Sequence, residues 1–200
     1  MAHGRLFVIT GPSGVGKGTL IARLLERVPE LELSVSATTR PPRPGERDGA
    51  DYHFTGDDEF DRLAREGRLL EHATYSGRRY GTPRAEVEPR LAAGTSVVLE
   101  IEVQGARQVR ETMPEAIQVF IAPPSPEALR ERLEARATDR PEEIERRLAA
   151  AQEELAAREE FGQVIVNDDL DRATDELVSL VRGAIDGEVP ATSVEEGEKA

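Results

Sequence analysis

Apolar and polar positions along the chain follow two periods, one typical of buried strands and one typical of helices. Short apolar runs predict four buried strands, at 5–10, 97–102, 117–122 and 164–166. Stretches with helical spacing follow these runs, at 19–28, 104–111, 126–136 and 170–185. Strands that alternate with helices predict a parallel sheet covered by helices on both faces. We therefore expect an α/β fold with about five parallel core strands.

The alternation breaks between the first helix and residue 97. The stretch SVSATTRPPRPGERDGADYHF is rich in Pro, Gly, Arg and Asp, and DDEFDRLAREG predicts a short helix with Asp57 as its N-cap. We expect an insertion of small strands and loops at about 36–95, within a domain spanning 4–186 whose core is 4–35 and 96–186. The polar helix predicted over 141–160 is expected to face solvent. The acidic tail, 187–200, is predicted to be disordered.

Composition limits the classes of function. The 200 residues, 38% of them hydrophobic, suffice for one compact domain, and the absence of Cys excludes disulfides and thiol chemistry. The formal net charge of -13 disfavours a nucleic-acid surface, and no apolar segment approaches the roughly 18 residues of a membrane span. We expect a cytoplasmic protein that binds neither nucleic acid nor membrane, while its oligomeric state stays open.

A glycine-rich loop, GPSGVGKGTL, joins the first predicted strand to the first predicted helix. Its spacing predicts that backbone N–H groups hold nucleotide phosphates while Lys17 reaches the β- and γ-phosphates. Of 26 basic residues only Lys17 and Lys199 are lysines, which favours a specific role for the first. The Ser or Thr usual after this lysine is absent, and the hydroxyl comes one residue later. The predicted ATP site comprises Gly11, Pro12, Ser13, Gly14, Val15, Gly16, Lys17, Gly18 and Thr19.

Two arginines, Arg40 and Arg43, stand three apart in the Pro-rich stretch. Proline stiffens the chain there and is expected to hold both guanidinium groups outward. Two fixed forks suit a terminal phosphate monoester. An exposed basic loop without a ligand accounts for the same spacing equally well.

Six stretches in this order resemble the guanylate kinase family: GPSGVGKGT, SVSATTRPPRPGE, DYHF, LLEHATYSGRRYGT, LEIEVQG and VNDD. The resemblance covers about 5–185, and its second and fourth stretches are the most specific. It implies a P-loop NTPase fold in which the insertion binds GMP and a short lid closes on the nucleotides. The implied reaction moves the γ-phosphoryl group of MgATP to GMP. Mg²⁺ bound with ATP is the implied cofactor, and ATP and GMP are the implied partners.

The resemblance also assigns site residues. It implies that the GMP phosphate is held by Arg40, Arg43, Tyr52 and Tyr80, that the guanine is read by Ser36, Glu71 and Thr82, and that Asn167 joins the ATP site. Guanine offers N1–H and N2–H₂ as donors and O6 as an acceptor. A carboxylate and hydroxyls therefore match guanine, whereas adenine would leave them mismatched.

Two carboxylates, Glu100 and Glu102, alternate with apolar residues at the end of a predicted strand, where a parallel sheet borders its ligand crevice. Both are assigned to the GMP site. No direct metal ligand is predicted, and Thr19 and Glu100 are candidates to act on magnesium through water. The family often has Asp in this pair, so it stays open which Glu serves the metal and which the guanine.

Three arginines, Arg132, Arg136 and Arg147, flank the turn 137–141, which resembles the mobile lid of the family and places the lid at about 132–147. Lid arginines can neutralise charge on a transferred phosphoryl group. The predicted catalytic set is Lys17, Arg40, Arg136 and Arg147, with Arg132 and Arg136 also in the ATP site. The family lid commonly reads G-R-G, whereas this chain has Ala135-Arg136-Ala137.

Two other functions stay open at this point. A related P-loop kinase could act on a phosphorylated sugar, but it would have little use for the guanine-reading set. A guanylate-kinase-like module could bind a partner without catalysis, but such modules tend to lack a competent phosphate loop.

Overall fold

The computed structural model describes residues 3–75, 77–135 and 141–187, with only the backbone at 141–143. Strands in this part of the chain are β1 (Leu6–Thr10), β2 (Leu31–Leu33), β3 (Ala37–Thr38), β4 (His53–Phe54), β5 (Leu69–Tyr75), β6 (Arg78–Pro83), β7 (Ser96–Glu100), β8 (Ile117–Ala122) and β9 (Gln163–Val166). Helices are α1 (Lys17–Arg27), α2 (Asp57–Arg65), α3 (Arg84–Ala92), α4 (Val103–Thr112), α5 (Pro126–Ala135), α6 (Pro141–Ala156) and α7 (Leu170–Ile185). A 3₁₀ turn, Ala157–Glu160, follows α6.

The central sheet has five strands in the order β2-β7-β1-β8-β9. All four neighbouring pairs are parallel. Because parallel strands need crossover connections, the helices that join them cover the sheet on both faces. The predicted α/β class with a parallel core is confirmed.

Alternate residues of β1 enter two separate cores. Phe7 and Ile9 pack with α1, α5 and α7, whereas Leu6 and Val8 pack with α3 and α4. All four side chains are buried. Successive side chains of a strand point to opposite faces, so a continuous apolar run is what a strand covered on both faces requires.

A second sheet of four strands, in the order β4-β3-β6-β5, lies within the span predicted as an insertion. Strands β3 and β4 are parallel, while β3 with β6 and β5 with β6 are antiparallel. A small core of Ala37, Phe60 and Leu69 connects this sheet to α2. Of the nine residues assigned above to GMP, Glu71, Tyr80 and Thr82 lie in its strands, and Ser36 and Tyr52 directly precede β3 and β4.

Several local predictions were wrong. Helix α1 begins at Lys17, so the lysine lies in its first turn, and β7 ends at Glu100, which leaves Glu102 as the N-cap of α4. Gly56, not Asp57, is the N-cap of α2. The pattern did not predict α3, whose Pro89 is unusual inside a helix and whose inner face is Val87 and Leu91.

Helix α6 does more than face solvent. Ala151 is 1% exposed, and Ile144 and Leu148 pack against the core that contains α1 and α7. The spacing of these residues puts them on one face of the helix. This apolar face is hard to recognise in the sequence, because most other positions of the helix are charged. The predicted tail from 188 on and the middle of the predicted lid, 136–140, lie outside the described residues. No helix in the described ranges is long and apolar enough to cross a membrane.

Candidate active site

The glycine loop turns between β1 and α1 in a conformation that its glycines make possible. Gly16, the N-cap of α1, has φ 102°, and a Cβ there would lie 2.7 Å from Nδ2 of Asn167. Gly11 has φ 136°, and a Cβ there would overlap the carbonyl oxygen of Ile121. L-residues with a side chain rarely adopt this φ range, so the loop requires glycine for both backbone shape and space.

Lys17 is held across this loop by main-chain oxygens. Its Nζ donates to the carbonyl of Gly11 at 2.6 Å and to that of Pro12 at 3.2 Å. The residue is only 9% exposed. The loop therefore fixes a positive charge at the N-terminus of α1, where backbone N–H groups and the helix dipole also favour an anion.

Two residues outside the loop hold its backbone in place through hydrogen bonds. Asn167 donates from Nδ2 to the carbonyl of Val15 at 2.8 Å, and Arg132 of α5 donates from Nη1 to the same oxygen at 3.2 Å. Arg132 also donates to the carbonyl of Asn167 at 2.7 Å. Both were assigned to the ATP site, and the structure places them against the loop backbone.

Gly18 and Thr19 occupy the open side of the loop, and both are exposed. A Cβ on Gly18 would lie 3.8 Å from Oε2 of Glu100, an ordinary van der Waals distance. Gly18 has a helical backbone and no steric requirement for glycine. The displaced hydroxyl is thus a feature of sequence that the local geometry does not impose.

A cleft of about 550 Å³ extends from this loop to the second sheet. It is lined on the side of the second sheet by Ser36, Arg40, Arg43, Tyr52, Glu71 and Tyr80, among others. On the loop side the lining is Ser13, Gly14, Gly16, Lys17, Gly18 and Thr19, with Glu100 and Glu102 at the end of β7 beside them. Residues assigned to two different substrates therefore share one cleft. Thr82, Arg132, Arg147 and Asn167 are not part of its lining.

Arg40 does not point outward as the prolines suggested. Its Nη1 and Nη2 donate to the two carboxylate oxygens of Glu46 at 2.9 and 2.8 Å, and its side chain is only 11% exposed. The guanidinium carbon lies 5.2 Å from the ring centroid of Tyr52 and 5.8 Å from that of Phe54. Arg43 is exposed at the cleft, so the two arginines differ in how firmly they are held.

Glu71 of β5 is a buried carboxyl, 4% exposed, at the floor of the cleft. Its pKa is raised to about 7, chiefly by burial and also by the charge of Glu102, while hydrogen bonds from Thr82 oppose the rise. The Thr82 hydroxyl donates to Oε1 at 2.7 Å. Thr82 is fully buried, so its hydroxyl serves Glu71 and is not presented to the cleft.

Helix α4 approaches Glu71 most closely at Gly105. A Cβ on Gly105 would overlap Oε2 of Glu71 and lie 3.0 Å from its Cδ. Gly105 is the third residue of α4, where backbone N–H groups have no partner within the helix. The glycine thus lets a carboxylate lie against the positive end of a helix.

A further acidic pair lies between the glycine loop and α6. Glu102 has one carboxylate oxygen that is buried and has no hydrogen-bond partner in the described part of the chain. The pKa of the neighbouring Glu154 is raised to about 8, chiefly by burial and also by its hydrogen bond with Glu102. Glu154 also accepts the backbone N–H of Ser13 at 3.3 Å. Two carboxyl groups this close are compatible with one shared proton.

Arg147 of α6 also contacts Ser13 of the glycine loop, through its side chain. Its Nη2 donates to the Ser13 hydroxyl at 2.7 Å. Arg136, the other predicted catalytic arginine of the lid, lies outside the described residues. No group of three or more His, Cys, Asp or Glu in the described ranges is arranged to hold a metal ion.

Sequence reasoning missed three residues at this site. Glu46 could have been found from the R-P-G-E turn that brings it back toward the arginines, and Gly105 from its presence inside an otherwise regular helix. Glu154 gave no signal, because it is one of many acidic residues in a charged helix. Its position is set by how α6 packs, which the local pattern does not encode.

A parallel sheet, a strand–glycine loop–helix unit and a lysine enclosed by that loop together define a P-loop nucleotide-binding protein of the α/β class. Residues 3–184 match the family model described as guanylate kinase. Relatives named guanylate kinase include one from Rubrobacter xylanophilus, 54% identical over 190 residues that cover 95% of this chain and 100% of that protein. Another, from Thermobifida fusca, is 56% identical over 177 residues that cover 88% and 90%.

Solved structures agree with the sequence comparison. The crystal structure of guanylate kinase from Anaplasma phagocytophilum superposes with a TM-score of 0.76 at 35% identity, over 92% of this chain and 87% of that chain. The chain belongs to the guanylate kinase family. The resemblance inferred from six short stretches is confirmed.

Proposed function

We propose that this protein transfers the γ-phosphoryl group of MgATP to GMP, giving ADP and GDP. One observation carries the proposal. A single cleft joins a lysine-bearing glycine loop to the second sheet, where the loop between β3 and β4 presents two arginines and β5 presents a buried carboxyl. The 54–56% identity to proteins named guanylate kinase supports the same reaction.

The donor side is built to hold ATP. The backbone N–H groups of the glycine loop would bind the β-phosphate, and Lys17 would leave its carbonyl partners to reach the β- and γ-phosphates. Asn167 and Arg132 support this role indirectly by holding the loop at Val15. Thr19 is exposed in the cleft and would contact the phosphates with its hydroxyl.

The acceptor phosphate would bind where arginines and tyrosines converge. Arg40, Arg43, Tyr52 and Tyr80 all line the cleft. Tyr52 and Tyr80 pack edge to face with ring centroids 6.1 Å apart, which fixes both rings beside the guanidinium of Arg40. A phosphate monoester would find charge-assisted hydrogen bonds from the arginines and neutral ones from the two hydroxyls.

Guanine would be read by Glu71. Its carboxylate accepts from Thr82 on one oxygen and keeps further acceptor capacity for the N1–H and N2–H₂ of the base. Ser36 lines the cleft and would serve O6, while Thr82 would act through Glu71. Adenine presents an acceptor at N1 and no 2-amino group, so it would leave the buried carboxylate without its donors.

The chemistry needs no covalent enzyme intermediate, because a phosphate oxygen of GMP attacks the γ-phosphorus directly. Lys17, Arg147 and Arg136 would neutralise charge on the transferred group, and Arg40 would hold the attacking phosphate. Mg²⁺ bound to ATP would neutralise the β- and γ-oxygens. The donor set fits an ion held mainly by phosphates and water, since Glu100 borders the loop while the described residues form no metal cage of their own.

A coupled ADP-release assay over GMP, AMP, CMP, UMP and ribose phosphates tests the proposal. GMP should give a kcat/KM at least about 10²-fold above that of AMP, since two or three mismatched buried groups cost about 1–3 kcal/mol each. Preference for a ribose phosphate would instead identify a sugar-phosphate kinase. GMP binding without ADP release would identify a binding module. Omission of magnesium should abolish turnover.

A further inference from the structure

The turn R-P-G-E, residues 43–46, closes with a backbone hydrogen bond from the N–H of Glu46 to the carbonyl of Arg43 at 3.1 Å. Pro44 takes the second position, where its fixed φ is favourable, and Gly45 takes the third with φ 92°. This is the residue pattern of a type II turn. No described residue lies within 4 Å of a Cβ built on Gly45, so its backbone conformation alone calls for glycine.

The turn brings the Glu46 carboxylate back onto the arginines. It accepts the backbone N–H of Arg43 at 2.6 Å and both terminal nitrogens of Arg40 at 2.9 and 2.8 Å. The side chain of Glu46 is 19% exposed. The hydrogen bond to Glu46 raises the pKa of Arg40, and the hydrogen bond from Arg40 lowers the pKa of Glu46. Glu46 does not line the cleft, and the sequence analysis gave it no role.

The donors of Arg40 divide between two edges of its planar group. Nη1 also donates to the carbonyl of Pro41 at 2.9 Å, so that nitrogen is used twice and Nη2 once. A guanidinium has five N–H donors, which leaves the Nε–H and the second Nη2–H on the edge away from Glu46. Those two donors form a second fork suited to a phosphate. Tyr80, which also interacts with this guanidinium, lines the same cleft.

We propose that Glu46 is a positioning residue that holds one edge of Arg40 so that the other edge faces the acceptor phosphate. The proposal rests on the proposed function, since it assigns the phosphate of GMP to that edge. An arginine fixed before binding loses less rotamer freedom when the phosphate arrives. The carboxylate lies across the guanidinium from that second fork, so its repulsion of the phosphate is partly shielded.

A different role would make Glu46 a competitor that occupies Arg40 until the phosphate displaces it. The two roles predict opposite effects of removing the charge. If Glu46 positions Arg40, its loss weakens GMP binding. If Glu46 competes for Arg40, its loss strengthens GMP binding.

The test is Glu46→Gln, measured by steady-state kinetics with each substrate varied in turn. We expect the KM for GMP to rise about tenfold, which is the effect of losing one charge-assisted contact. The KM for ATP and the kcat at saturating GMP should stay within about twofold of the wild-type values. Affinity for guanosine, which has the base but no phosphate, should not change. An unchanged or lowered KM for GMP would overturn the proposal.

A matched control exists on another face of the protein. Glu160 also holds an arginine through both carboxylate oxygens, with Arg107 Nε donating at 2.8 Å. Glu160→Gln should change neither KM. Gly45→Ala is the second variant: it keeps the Glu46 charge but strains the turn, and it should raise the KM for GMP in the same direction. An unchanged KM for GMP in this variant, with the wild-type turn lost by NMR, would also count against the proposal.

The same assays separate this proposal from the proposed function. Wild-type ADP release with GMP tests the function alone. If the wild type phosphorylates GMP and Glu46→Gln behaves like Glu160→Gln, the positioning role is wrong and the function stands. If the wild type does not use GMP, the proposed function is wrong and the role of Glu46 is wrong with it.

Discussion

The two sides of the cleft differ in the groups that hold their functional residues. On the donor side, main-chain carbonyls of Gly11, Pro12 and Val15 hold Lys17 and the residues that brace the loop. On the acceptor side, the key groups are held by other side chains, Arg40 by Glu46 and Glu71 by Thr82. The proposed donor site therefore depends mainly on the path of the backbone, and the proposed acceptor site depends on pairs of side chains.

This difference has a consequence for function. A backbone site binds what all nucleoside triphosphates share, namely their phosphates, and it sets the rate of transfer. A site made of side-chain pairs can distinguish bases, because each pair presents a fixed set of donors and acceptors. Changes on the donor side should therefore affect kcat, and changes on the acceptor side should affect the KM for GMP.

The largest effect is expected for Lys17→Ala. Loss of the ammonium removes a preorganised charge from the β- and γ-phosphates, so kcat should fall by about 10²-fold or more. Lys17→Arg should not restore it, because a planar guanidinium is bulkier than the compact ammonium that the Gly11 and Pro12 carbonyls hold. GMP affinity, measured by calorimetry without ATP, should stay within about twofold. Retained turnover in Lys17→Ala would contradict the account of the donor side.

Gly105→Ala should have the next largest effect, on the acceptor side only. Alanine favours the helix by about 1 kcal/mol, but its Cβ would overlap the Glu71 carboxylate. We expect the KM for GMP to rise about tenfold or more while the KM for ATP stays within about twofold. Glu111→Ala, at an exposed position of the same helix, is the control and should change neither.

A double-variant cycle sharpens this test. Glu71→Asp withdraws the carboxylate from α4, so Gly105→Ala should cost less in that background than in the wild type. Strictly additive effects would show that Gly105 acts without Glu71. Equal increases in both KM values would point to a general disturbance of the fold.

Gly18→Ser should have a mild effect. The backbone is helical, the new Cβ has room at 3.8 Å from Glu100, and the variant restores the hydroxyl usual at this position. Activity should stay within about tenfold of the wild type, with a changed magnesium dependence as the informative readout. Abolished turnover would show that the loop needs glycine at this position for a reason its geometry does not reveal.

The smallest predicted effect is a pH dependence of GMP use. With the pKa of Glu71 at about 7, the fraction of ionised carboxylate falls about fourfold between pH 8 and pH 6.5. The KM for GMP should rise by a similar factor as the pH falls. Glu71→Gln is the control, because it loses the titration of Glu71 and keeps that of the GMP phosphate and of Glu154. A wild-type profile that matches the control would contradict the assignment.

The same raised pKa predicts a stability difference of defined sign. The folded state binds the Glu71 proton more tightly than the unfolded chain, so the free energy of unfolding falls as the pH rises from about 4.5 to about 7. Glu71→Gln should lack the part of the decrease that Glu71 causes, while the part that Glu154 causes is present in both proteins. Denaturant titrations of both proteins across that range measure it.

The sequence predicted the core better than the insertion. The reason is that local spacing determines backbone paths, whereas pairs of side chains form only in the folded protein. The glycine loop and the strands around it follow from local spacing, since Gly11 and Gly16 are needed for backbone shape and β1 is apolar on both faces. Helix α3 was missed because Pro89 interrupts a helix that is stabilised by the packing of Val87 and Leu91. Tertiary packing outweighed local propensity there.

The acceptor site could be assigned only by resemblance. Nothing local to Glu71 distinguishes it from a surface carboxylate; it is buried because β5 packs against α4 at Gly105. Arg40 was expected to point outward because prolines surround it, but Glu46 turns it inward. Such pairs depend on positions brought together by the fold, so spacing along the chain does not reveal them.

The central claim, that guanine is read by a buried carboxylate on the acceptor side, is tested most directly by Glu71→Gln. Glutamine keeps the size of the side chain, so its contacts with Thr82 and Gly105 are preserved while the acceptor for the guanine donors is lost. Calorimetry should show GMP affinity reduced about 10- to 100-fold and ATP affinity unchanged within about twofold. Equal losses for GMP and ATP, or unchanged affinity for both, would contradict the account.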